Sequence, residues 1–153
     1  MSGLDPGENR VANSDDCVIC VNHVNKSFDG KPVLRGVDLD VRRGETMVIM
    51  GGSGCGKSTL IRTITGIIPL TSGQVVLDGK ILQSLTRREV ASLAAVVPQD
   101  GSGRFAFSVR EVVMMGRHAH YGRFRRPTHE DEAAVSVAME QTQTVHLADR
   151  SIV

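Results

Sequence analysis

Residues 51–59 read GGSGCGKST: four glycines, then a lysine followed by two hydroxyl residues. Gly51, Gly52, Gly54 and Gly56 permit positive backbone torsions, and they let several N–H groups converge with no side chain between them. The stretch that follows, STLIRTITGI, places Leu60, Ile61, Ile64, Ile67 and Ile68 at close to helical spacing. A helix starting there would set its positive end behind the loop. A glycine loop entering a helix is a site for phosphate.

The spacing Gly51-x-x-x-x-Gly56-Lys57-Ser58 matches the Walker A phosphate loop. In that pattern Lys57 reaches the β- and γ-phosphates of a nucleotide and Ser58 holds Mg²⁺, while Thr59 adds a second hydroxyl. Ser53 and Cys55 serve through their backbone. Cys55 needs only to be small, although a thiol beside a helix N-terminus is also a candidate for alkylation that bound nucleotide blocks.

Around this loop, 153 residues suffice for one ordinary domain. Hydrophobic residues at 41% and charged residues at 23% fit a soluble globular protein, and a net charge of +1 argues against bulk attraction to nucleic acid or anionic membrane. No apolar run approaches the ~18 residues of a membrane span. The polar start MSGLDPGENRVANSDD lacks the apolar core of a signal peptide, so residues 1–16 read as a loose tail of a cytoplasmic chain.

Cys17 to Val24 reads as a first strand, followed by a turn around Asp29-Gly30-Lys31-Pro32. Val37, Leu39 and Val41 alternate with Asp38, Asp40 and Arg42, the period of a half-buried strand. TMVIM, residues 46–50, reads as a strand covered on both faces, directly before the loop. Residues 73–80 read as a short strand with a glycine turn, and Ala94 to Val97 as another buried strand stopped by Pro98. Thr86-x-x-Glu89, Ser108-x-x-Glu111 and Thr128-x-x-Asp131 predict three helix starts, the last a weaker cap for a helix to about Thr142. Asp100 to Gly103 reads as loop. A strand-rich part, 17–99, is thus followed by a helix-rich part, 100–153.

Cys17 and Cys20 form a C-x-x-C inside the apolar run CVICV. Positions three apart on a regular strand face opposite ways, so their sulfurs should diverge. They read as buried strand residues, not as a metal or redox pair. Arg117, His118, His120, Arg123, Arg125 and Arg126, interleaved with Tyr121 and Phe124, read as a solvated loop or one docked on another subunit. His118, His120 and His129 lack convincing metal-ligand spacing.

The succession HVNKSFDGKPVLRGVDLDVRRGE, GGSGCGKSTLIRTITGIIPLTSGQVVLDG and AAVVPQD resembles the nucleotide-binding domain of ATP-binding-cassette (ABC) transporters, from about Val18 to the end. The resemblance implies an α/β P-loop NTPase fold, with an antiparallel β subdomain and the start of a helical subdomain. It implies ATP and Mg²⁺ as cofactors, Phe28 stacking on adenine, and Gln99 as the glutamine that ligates Mg²⁺, helps position the attacking water and reports nucleotide state. The implied partners are transmembrane permease subunits, a second ATPase subunit and, indirectly, a solute-binding protein, with the chain peripheral on the inner face of the membrane. Nucleic acid is not among them.

FSVREVVMMGRHAHYGRFRRPTHEDEAAV, residues 107–135, is similar to importers of iron–siderophore, haem and cobalamin type, while the loop segment is also similar to ATPases of lipid and organic-solvent transport. Hydrolysis in this family further needs a strand of apolar residues ending in Asp and Glu, a Leu-Ser-Gly-Gly signature and a switch histidine. VVLD, residues 75–78, is the nearest match to the first and is followed by Gly79. The expectation is therefore the N-terminal part of an ABC ATPase, unable to hydrolyse alone and prone to aggregate through an uncovered apolar face. A non-hydrolysing nucleotide-binding module is the alternative. Soluble ABC proteins of DNA repair or translation, and small-molecule kinases, fit the sequence less well.

Overall fold

The computed structural model describes residues 16–99, 106–120 and 126–152. The tail through residue 15, the Asp100–Gly103 loop, and Tyr121, Arg123, Phe124 and Arg125 lie outside the described residues. The chain divides into two compact units, Met1–Ala95 and Val96–Val153.

The first unit is built on a hairpin. Strand β1 (Cys17–Phe28) pairs antiparallel with β2 (Lys31–Arg42). Phe28 opposes Lys31 across a two-residue turn, Asp29-Gly30, in which both residues have positive φ. That conformation matches the twist of the flanking strands, and Asp-Gly is a sequence suited to it. Strand β3 (Ser72–Leu77) lies on the other side of β1, and β4 (Lys80–Ile81) folds back on β3 through Asp78-Gly79, again at positive φ. The sheet order is β2-β1-β3-β4.

One face of this sheet holds the core. Val21, Val24, Leu34, Val75 and Leu77 pack with Leu60 and Ile64 of helix α1 (Lys57–Ile64) and with Leu82. Complete burial of a side chain such as Leu60 contributes roughly 1.5–3 kcal/mol. Thr63, also buried, donates its hydroxyl to the Thr59 carbonyl, so the helix hides no unpaired oxygen. Helix α2 (Arg87–Leu93) starts at the predicted Thr86 cap. At Gly73 (φ +94), β3 runs so close to β1 that a Cβ would collide with the His23 carbonyl and lie 2.7 Å from that of Asn22.

Three expectations fail. Residues 46–50 form no strand, and Val48 and Met50 are 71% and 86% exposed. Residues 94–97 likewise form no strand, with Val97 95% exposed. A strand exists only where a neighbour takes its N–H and C=O groups, and among the described residues no segment pairs with either run. The third correction concerns the cysteines: Cys17 and Cys20 do not diverge but are joined in a disulfide. A β-bulge is the cause. Two residues of β1, from Cys17 to Ile19, advance against one step of β2, from Arg42 to Val41, which turns Cys17 to the face of Cys20.

In the second unit, α3 (Val109–Met115) and α4 (His129–Gln141) start at the predicted Ser108 and Thr128 caps. Asp131 completes a full capping box in α4. Arg110 pairs with Glu132, and Arg117 Nε lies 3.0 Å from Asp131 Oδ1, tying the segment of α3 to α4. Val135 and Met139 are the buried apolar side chains of α4. No helix among the described residues is long and apolar enough to cross a membrane.

Candidate functional site: the phosphate loop

The loop turns from the unpaired run 46–50 into α1. Gly56 is the N-cap of α1, at φ +99, where an L side chain is strained. A Cβ at Gly56 would also sit 3.1 Å from Leu34 Cδ2 and 3.3 Å from the Val33 carbonyl oxygen. The glycine thus lets the loop press against β2, which fixes where the helix begins. The first intrahelical bond runs from Leu60 N–H to the Gly56 carbonyl at 2.8 Å. No side chain caps α1, and its first turn holds no carboxylate. The leading N–H groups of a helix have no intrahelical acceptor, so this end is left open to an anion.

Lys57 bends back over the loop. Its Nζ donates to the carbonyls of Gly51 and Gly52, both at 2.7 Å, and stands 3.5 Å from Cys55 Sγ. The ammonium is thereby held at the loop, and no carboxylate among the described residues pairs with it. Cys55 N–H closes the loop on the Gly52 carbonyl at 3.4 Å, and its thiol is exposed and free. Ser53 and Gly54 are exposed at the turn. Ser58 is exposed on the first turn of α1, and Thr59 is half-buried beside it. The donor set suits a phosphate chain: an uncapped helix N-terminus, one ammonium, two hydroxyls and no acid in the first turn of the helix.

Phe28 ends β1 and is 44% exposed, with Lys26 Nζ 4.8 Å from its ring centroid. The next strand supplies Val33 and Leu34, which touch Gly56, so the ring and the loop are borne by one hairpin. Gln99 is an exposed bend in the second unit.

The structure assigns some predicted surface residues differently. Arg117, read as part of a basic cluster, is the ion-pair partner of buried Asp131. The spacing of Arg117 and Asp131, on different elements, gave no local signal of the pairing. The carboxyl of Asp131 is held below its usual range, first by the backbone N–H of Thr128 and further by Arg117. The Thr86 hydroxyl and backbone lower Glu89 in the same way, and the Ser108 backbone lowers Glu111.

Residues 34–153 match the family profile described as ABC transporter. The hemin import ATP-binding protein HmuV of Streptomyces coelicolor is 42% identical over 79% of this chain and 42% of its own length. The cobalamin import ATP-binding protein BtuD of Halobacterium salinarum is 39% identical over 86% of this chain and 33% of its own. The ferric enterobactin transport ATP-binding protein FepC of Escherichia coli is 37% identical, covering 78% and 44%. The chain thus spans less than half the length of these curated relatives. Among solved structures, cbiO1 of Clostridium perfringens, part of the ABC transporter complex cbiONQ, superposes with a TM-score of 0.72 at 30% identity, covering 89% of this chain and 54% of that one. A nucleotide-free ATP-binding cassette from an ABC transporter gives 0.71 at 25% identity, covering 88% and 57%. With the loop geometry, the hairpin that supports it and the match over residues 34–153 in agreement, the chain belongs to the ABC transporter family and carries part of its α/β P-loop NTPase fold.

Proposed function

We propose that this chain binds Mg-ATP as part of the ATP-binding subunit of an ABC importer, and that the solute is a metal chelate of the haem, ferric siderophore or cobalamin kind. The observation that supports ATP binding is the uncapped N-terminus of α1, set behind a glycine loop with Lys57 already bent over it. The relatives support the solute class, since the hemin, cobalamin and enterobactin proteins are each similar to this chain over most of its length.

In this reading the N–H groups of Gly54, Cys55, Gly56 and Lys57 surround the phosphates, and Lys57 exchanges its glycine carbonyls for phosphate oxygens. Ser58 and Gln99 would hold Mg²⁺, which supplies charge neutralisation at the phosphates. Gln99 would also order the attacking water. Phe28 would offer its exposed ring surface to adenine. The partners are permease subunits, a second ATPase subunit and, indirectly, a solute-binding protein, and the place is the cytoplasmic face of the membrane.

Binding and hydrolysis separate in this proposal. Residues 1–153 hold no apolar-Asp-Glu run and no Leu-Ser-Gly-Gly. Hydrolysis therefore belongs to an assembly that supplies those groups, and the chain alone acts as a nucleotide-binding module. Equilibrium binding of ATP with and without Mg²⁺, alongside steady-state phosphate release, tests both statements. Saturable Mg-dependent binding with no release above background is the expected result. Absence of binding sinks the proposal, and turnover by the chain alone sinks the separation.

A further inference from the structure

The face of the sheet opposite the core holds a second cluster with chemistry of its own. Cys20 of β1 and Asp40 of β2 are directly opposed across the hairpin. Directly opposed residues project to the same face, here the one away from Val21, Leu39 and Val75. The bulge between Cys17 and Ile19 brings Cys17 to that face as well. The ligand atoms of Cys17, Cys20 and Asp40 all lie within 4.8 Å of one another, and Cys17 Sγ is 3.9 Å from Asp40 Oδ1.

We propose that reduction of the Cys17–Cys20 disulfide opens a site in which both thiolates and the Asp40 carboxylate bind a thiophilic divalent cation, zinc above all. Two sulfur donors select against Mg²⁺ and Ca²⁺, which take oxygen ligands. Three protein ligands and a water complete the tetrahedron that zinc favours. The backbone frame is already fixed by strand pairing, so binding asks only for side-chain adjustment. Cys20 is 2% exposed and shielded, whereas Asp40 is open to solvent. Asp40 also lines a hollow with Asp16, Arg42, Arg43, Gly44 and Glu45.

The two states exclude each other. An external dithiol reduces the protein disulfide by two successive exchanges and leaves as its own disulfide, its two hydrogens passing to the freed protein thiols. The cation then displaces both protons to solvent as the thiolates bind. Bound metal clips β1 to β2 and raises the melting temperature of the chain by mass action.

Cobalt(II) is the probe, titrated into the full chain carrying Cys55→Ser, so that Cys17 and Cys20 are the remaining thiols. The protein is reduced with a phosphine that is then removed under anaerobic conditions. One equivalent should produce a thiolate-to-cobalt charge-transfer band and the intense visible absorption of tetrahedral cobalt, both abolished by zinc. The oxidised chain should show neither. Cys20→Ser should lower the charge-transfer band by half or more. Asp40→Asn, an isosteric change at an exposed position, should weaken cobalt about tenfold or more, the worth of one charged ligand. Circular dichroism of each variant controls for the fold. No saturable band in the reduced chain, or the same cobalt affinity in Asp40→Asn, overturns the proposal.

Discussion

The four α-helices among the described residues begin in two different ways. At α2, α3 and α4 a Thr or Ser accepts from the third N–H of the helix, while the Glu89, Glu111 or Asp131 carboxylate reaches back to the cap residue. Those ends satisfy their own donors and neutralise their own dipole. At α1 the cap is Gly56, no side chain accepts, and no acid lies in the first turn. Thr59 stands where the other helices carry a carboxylate. A helix end that the chain leaves unsatisfied is one where a ligand can do the satisfying, and the same sequence shows three times how it closes the ends it does not use.

The largest effect should come from taking away the charge that α1 keeps free. Lys57→Ala is expected to weaken ATP binding about 10- to 100-fold, the value of a hydrogen bond to a charged group. Calorimetric titration measures it, and an unchanged affinity would remove Lys57 from the site. A sharper variant makes α1 resemble its siblings. Thr59→Glu places a carboxylate at the third position of the helix, as in α2 and α3, and should lower ATP affinity about tenfold without lowering the melting temperature. If affinity is kept, the open helix end is not what binds the nucleotide.

The smallest effect tests the closed side. Asp131 has its folded-state pKa lowered, so its contribution to stability is fully present above the ordinary carboxylate value of about 4. That contribution is lost as pH falls through the lowered folded-state value. Glu89 and Glu111, lowered by their own caps, follow the same sign. Asp131→Asn should reduce stability at neutral pH and flatten the acid limb of a melting-temperature profile, while ATP affinity stays as it was. An unchanged acid limb would show that the Arg117–Asp131 pair does not stabilise the second unit.

Much of this was legible because it is local. The glycine loop, the Asp29-Gly30 turn and all three capping boxes are set by residues within a few positions of one another, so spacing alone finds them. The candidate site was legible for the same reason from Gly51 to Thr59. The failures have the opposite character. TMVIM has every local mark of a buried strand, yet Val48 and Met50 are exposed because a strand is defined by its neighbour.

What the sequence determined by itself is therefore the glycine loop and the starts and turns around it, since glycine torsions and cap hydrogen bonds depend on neighbours along the chain. Only the tertiary structure decided that Arg117 meets Asp131, that β2 buttresses Gly56, and that Cys17, Cys20 and Asp40 share one face. The last rests on a single extra residue in β1. A bulge is a property of how two strands pair, and it reverses a side chain's direction without leaving a mark in the residues that flank it.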